Sequence, residues 1–186
     1  MHLDQGIPDG VTDVGISNVT IANNTIDNGA VIFVKHGLNF EENLVWQPGR
    51  STIDYQTAGC DACFHAKNAL VSESVSFPAG LAILQEPSLD AFGFVDAANA
   101  SPSKRDYHLG GWLVNRIPSF SPAVDFATPV SGDDPDLDNK PHDQDIPNLD
   151  NGPGERDLGC YELQASQVIN DRIFADSYGD RISLLF

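Results

Sequence analysis

Apolar and polar residues alternate through much of the N-terminal half. In Asn18-Val-Thr-Ile-Ala-Asn-Asn-Thr-Ile26 the apolar side chains lead at every second position before the asparagines, the period of a strand buried on one face. Nineteen residues later Leu38-Asn-Phe-Glu-Glu-Asn-Leu-Val45 repeats the pattern, aligning Val19 with Leu38, Ile21 with Phe40, Asn24 with Asn43 and Ile26 with Val45. Residues 11–17 and Ser51-Thr-Ile-Asp-Tyr55 alternate as well, while Ala30-Val-Ile-Phe-Val34 is an unbroken apolar run suited to a strand covered on both faces. A strand-and-corner unit returning at about twenty residues predicts a solenoid of stacked parallel coils. With rungs roughly 4.8 Å apart, Asn24 and Asn43 are expected to form one step of an internal amide ladder.

Helical patterns are sparse, because 16 Gly and 12 Pro interrupt nearly every window. Short helices fit only Leu81 to Gln85 and the region from Leu163 to Ala175. From Thr57 to Gly80 the alternation fades, leaving Asn68–Val71 and Ser74–Phe77 as degraded coils. Residues 132–157 change character: nine acidic residues against two basic ones, among Pro, Asn and Gly, which makes this stretch a loop or a metal-organised turn. Leu158-Gly-Cys-Tyr-Glu-Leu163 reads as a closing strand. The expected organisation is coils and closing strands over 1–131, an acidic loop and final cap strand over 132–163, and a tail over 164–186.

Charge narrows the partners. With 27 acidic and 10 basic residues the chain carries a formal charge of −17, which repels nucleic acid and anionic lipid. No run of eighteen apolar residues is present, so no transmembrane segment is expected. The first residues carry neither a basic segment nor an apolar one, so no signal peptide is expected in this stretch. Two clear coils are fewer than the three or so a solenoid needs. The expectation is therefore the C-terminal part of a longer exported protein, its signal lost by truncation, monomeric or embedded in that longer chain.

Four phrases carry a family resemblance. Phe92-Gly-Phe-Val-Asp96 with Ala97-Ala-Asn99 and Asp106-Tyr-His-Leu109 resembles "dPgFvDpanGdyhL", and Ser121-Pro-Ala-Val-Asp-Phe-Ala127 resembles "SPAIDAG". Asp136-Leu-Asp-Asn-Lys-Pro141 resembles "DxDGxpRP", and Asp157-Leu-Gly-Cys-Tyr-Glu162 resembles "DIGAYE". In this order they resemble the C-terminal region of bacterial secreted right-handed parallel β-helix proteins of the choice-of-anchor Q type, within the pectin-lyase-like group. Phe126-Ala127 stands where that family has Ala-Gly, Asn139 replaces a Gly, and Cys160 replaces an Ala. The resemblance implies an all-β, right-handed parallel β-helix with a turn-rich acidic cap. It also implies an extracellular or cell-surface location. Together with the acidic surface and the absence of a basic cluster, it leads to the expectation of a module that is non-catalytic in this fragment, binding carbohydrate and calcium. The alternative it leaves open is a piece of a polysaccharide lyase, hydrolase or epimerase whose catalytic coils lie upstream.

Candidate chemistry is thin. Asp134, Asp136, Asp138 and Asp145 stand at positions 1, 3, 5 and 12 of an EF-hand-like spacing, so their oxygens are candidates for calcium; the bland alternative is a solvated acidic loop. Trp46 and Trp112 are candidates for stacking on the sugar rings of a polysaccharide or surface glycan, or else for packing. Lys35 and His36 near Glu41 and Glu42 contain a base and carboxylates, but such residues are more often solvent-facing turns. Cys60-Asp-Ala-Cys63 has no second ligand pair for zinc, so ordinary thiols or a local disulfide are expected, with Cys160 as a small buried hydrophobe.

Overall fold

The computed structural model describes residues 2–3, 14–34, 37–55, 64–73, 83–114, 117–129, 134–146 and 154–164. Lys35, His36, Cys60, Cys63 and nearly all of the tail lie outside them. The first half consists of β1 (His2–Leu3), β2 (Val14–Ser17), β3 (Thr20–Ala22), β4 (Ile32–Val34), β5 (Leu38–Trp46), β6 (Ile53–Tyr55), β7 (Phe64–Val71) and β8 (Ile83–Gln85). One parallel sheet has the order β1-β4-β6. A second joins β2, β5, β7 and β8, with β3 also paired to β5. Up to β7 the chain visits the two sheets in turn, as the apolar alternation of the first half requires of stacked parallel strands. The described residues do not trace a closed coil.

The stacking interval differs from the nineteen residues expected. Val14 faces Leu38 and Ala22 faces Trp46, a displacement of 24 residues; Leu38 then faces Phe64 and Val45 faces Val71, a displacement of 26. Asn43 therefore lies opposite Val19 rather than Asn24, and no ladder joins the two asparagines. The buried Asn43 instead donates from Nδ2 to the Ile16 carbonyl (2.8 Å) and accepts from Val19 N–H (2.9 Å). The backbone of the exposed Asn24 is held by the Gln47 amide. The shorter interval matched residue types but slipped the register by an odd number, which turns a strand over.

A left-handed residue in each rung explains why the simple pattern misled. Asn18, Glu42 and Asn68 have φ of 52°, 58° and 51° and lie one step beyond the paired Ser17, Glu41 and Lys67. Each therefore bends its rung at the same place and reverses the alternation. Before the bend Ile16, Leu38, Phe40 and Ala66 enter the first core; after it Ile21, Val45, Ala69 and Val71 do. The other face of the second limb, with Ala22, Leu44, Trp46, Leu70 and Leu84, supports a second core. The last five residues of β5 are consequently all buried.

Glu42 is the uncomfortable member of this column. It is a buried carboxylate, raised above its usual range chiefly by that burial, with Arg156 and Lys67 partly opposing the shift. Asn tolerates left-handed backbone better than Glu and brings no charge. Glu42→Asn is expected to stabilise the fold by about 1 kcal/mol. A raised carboxyl makes the folded chain hold its proton more tightly than the unfolded chain. The penalty is therefore present once the unfolded group has ionised and fades as pH falls, so the gain in melting temperature should be larger near pH 7 than near pH 4.

The second half covers the outer face of the second sheet. Helix α1 (Leu89–Phe92) is one turn, capped by the Ser88 hydroxyl accepting from Ala91 N–H and ended by left-handed Gly93. It leads to antiparallel β9 (Phe94–Asp96) and β10 (Asp106–Leu109), with a 3-10 turn at Pro102–Lys104 between them. The antiparallel pair β11 (Gly111–Val114) and β12 (Ile117–Phe120) follows. Phe92, Leu109, Val124, Ile146, Leu158 and Leu163 pack with Leu44, Trp46 and Leu70. Two sequence expectations change here. Ile83–Gln85 is a strand on the edge of β7, not a helix. Asn68–Val71, read as a degraded coil, is the second half of the central eight-residue strand Phe64–Val71, whose Ala and Lys residues dilute the strand signal.

Candidate functional site

Polar groups converge inside the cap, where the segments 121–127, 134–146 and 154–164 meet. Ser121 turns the chain by donating its hydroxyl to the Phe92 carbonyl (2.6 Å), and Asp125 follows with φ of 51°. Isolated bridges tie Arg156 to Ala127 and Asp143. Gly154 lies so close to Ala127 that a Cβ there would sit 1.7 Å from its carbonyl oxygen. The expected closing strand at Leu158–Leu163 is absent, because other groups take its backbone. Gly159 N–H donates to Glu42 O, Cys160 N–H to Thr20 Oγ1, Glu162 N–H to Asp136 Oδ2 and Leu163 N–H to Asp157 Oδ2.

At the centre are Asp125, Asp157 and Glu162, all fully buried, each offering a carboxylate oxygen within 4.8 Å of the other two. Asp157 accepts from Asp125 N–H and Leu163 N–H, and Glu162 from Gln144 N–H and Asp157 N–H. Asp125 Oδ2 takes a long bond from Ile146 N–H (3.5 Å), and its Oδ1 is buried without a partner. Burial pushes the Asp125 carboxyl up to about 6. Burial also raises Asp157 and Glu162, the latter further through repulsion by Asp157. Beside them, buried Arg156 donates from Nη2 to Asp134 (3.0 Å) and to His142 Nδ1 (2.6 Å). Arg offers no acceptor, so the neutral His142 ring carries its hydrogen on Nε2, which faces Glu162 Oε2 at 3.9 Å. Burial first, then Arg156, lowers the His142 pKa.

The four aspartates with calcium-loop spacing are not gathered around one point. Asp134 is 63% exposed and paired with Arg156. Asp136 is buried and spends Oδ1 on the N–H groups of Asp138 and Lys140. Asp138 pairs with Lys140 (2.8 Å) and His108 (3.1 Å), whose hydrogen bonds hold its carboxyl below the usual range. Asp145 is exposed. The Asx turn at Asp136 and the left-handed Asn139 at φ 61° account for the spacing without an ion. Trp46 is 5% exposed and meets Phe92 edge to face at 5.0 Å, so it presents no ring to a sugar. Trp112 is placed on β11, opposite Ser119.

No family model, curated protein or solved structure matches this chain. What remains is geometry. The pairing register sets Glu41 beside Lys67 and Asn39 beside His65 on the face of β5 and β7 opposite the first core. His65 and Lys67 are exposed and Asn39 and Glu41 half-buried. The sequence set Glu41 near Lys35 and His36, which lie outside the described residues, and missed Lys67 because the interval of 26 was not visible. The buried triad had a signal: Asp125, Asp157 and Glu162 are the acidic residues of the phrases Ser121–Ala127 and Asp157–Glu162, which served only the family resemblance in the sequence.

Proposed function

We propose that this chain is a non-catalytic module of an exported or cell-surface right-handed parallel β-helix protein, and that it binds polysaccharide or a surface glycan. The carrying observation is the in-register column of Asn18, Glu42 and Asn68 within a sheet that alternates with a second parallel sheet. A bend repeated rung after rung is what a stacked coil needs, and it leaves a flat polar face. Ser17, Asn39, Glu41, His65 and Lys67 on that face supply adjacent donors and acceptors for sugar hydroxyls. Family-like phrases at 92–162 support the same reading.

The enzyme reading, a piece of a polysaccharide lyase, hydrolase or epimerase, draws its support from Glu41 and Lys67 lying side by side. They sit on an open face rather than in a shared cleft, which favours binding over catalysis. Affinity electrophoresis through gels containing uronate-rich or neutral polysaccharides, with a parallel assay for new chain ends, separates the two. Retardation without new ends, weakened at least about tenfold in Glu41→Ala/Lys67→Ala, is the expected result. New chain ends would favour the enzyme. Unretarded migration in every gel would remove the glycan reading.

A further inference from the structure

We propose that Asp125, Asp157 and Glu162 bind a hard divalent cation, of the calcium or magnesium type, inside the cap. The inference does not depend on glycan binding. Three buried carboxylates within 4.8 Å of one another supply only oxygen, the donor such ions prefer. The backbone N–H bonds to Asp157 and Glu162 fix those carboxylates in place and leave each oxygen a further lone pair.

Two further atoms point to a ligand. Asp125 Oδ1 is a buried acceptor with nothing against it, and His142 Nε2 is a buried donor with none of its own, facing Glu162. Such orphans are costly unless a bound group satisfies them. A cation satisfies the first, and a water carried on that cation is an acceptor for the second. The ion-pair partners of Arg156 are Asp134 and Asp143 rather than the triad, and its Nη2 also meets His142. His142 also lines an open depression of about 440 Å³ with Asp134 and Asp143, whose carboxylates draw cations toward it.

The test uses the full chain, stripped with a chelator and melted with and without added calcium or magnesium chloride. The melting midpoint is expected to rise by at least about 5 °C with one of the two, and metal analysis after dialysis should find one ion per chain. Asp125→Asn keeps a residue suited to left-handed backbone and an oxygen for Ile146 N–H, so it should fold and lose the shift. Asp134→Ala/Asp145→Ala should retain it. A wild-type midpoint indifferent to both cations overturns the proposal, whatever the variants do. So does a shift that survives Asp125→Asn, or one that disappears only in Asp134→Ala/Asp145→Ala, which would place the ion on the outer loop.

Discussion

Trp46→Ala is expected to destabilise the fold by about 3–5 kcal/mol, the range for emptying a buried aromatic site. Trp46 lies at the end of β5, where both faces of the strand are covered, and its ring meets Phe92 of α1. It packs in the second core, with Leu44 and Leu70 from the sheet and Leu158 and Leu163 from the final segment. The resulting cavity would sit between the sheet and the cap, so the cap should loosen before the strands do. Chemical denaturation followed by far-ultraviolet circular dichroism and by limited proteolysis checks this. The cap is expected to become protease-sensitive at denaturant concentrations that leave the strand signal intact. Trp46→Phe, which refills most of the volume, should recover more than half of the loss. A sugar-stacking role would predict the opposite, a stable variant with weakened glycan binding.

Gly159→Ala should cost about 3 kcal/mol for two separate reasons. Gly159 has φ of 94°, a conformation an L side chain resists, and an added Cβ would lie 2.6 Å from Thr20 Oγ1 and 2.7 Å from Leu44 Cδ1. Its N–H also donates to the Glu42 carbonyl at 2.8 Å. This glycine is where the final segment touches β3 and β5, directly beside the left-handed column. Equilibrium unfolding measures the loss. A change within about 0.5 kcal/mol, the usual surface effect, would mean the final segment does not dock on the sheet.

Strand content was readable because the apolar pattern is a local signal: alternation at period two found β2, β5 and β6 close to their observed positions, and the unbroken apolar run found β4. The register was not readable. Glu42 carries no hint of positive φ, unlike Asn18 and Asn68, so the reversal within β5 was invisible. Without it, nineteen residues gave the better match of residue types, and Asn24 aligned with Asn43. The acidic cap shows the complementary limit. Spacing drew attention to Asp134, Asp136, Asp138 and Asp145, which are close in sequence, but the first three are directed to different partners. Asp125, Asp157 and Glu162 are gathered by the folding of two segments about thirty residues apart, and no local pattern reports that.

The stacking register is most directly measured with paired cysteines in a chain whose three native cysteines are changed to serine. Ser17→Cys/Glu41→Cys places two thiols on directly paired residues of β2 and β5. Ser17→Cys/His36→Cys is the pair that a nineteen-residue interval would bring together. A short bis-thiol reagent is expected to cross-link the first pair rapidly in the folded chain, with the reaction abolished by denaturant, and to leave the second largely unlinked. Preferential linking of Ser17→Cys/His36→Cys would contradict the 24-residue register, and with it the left-handed column and the covered outer face of β5.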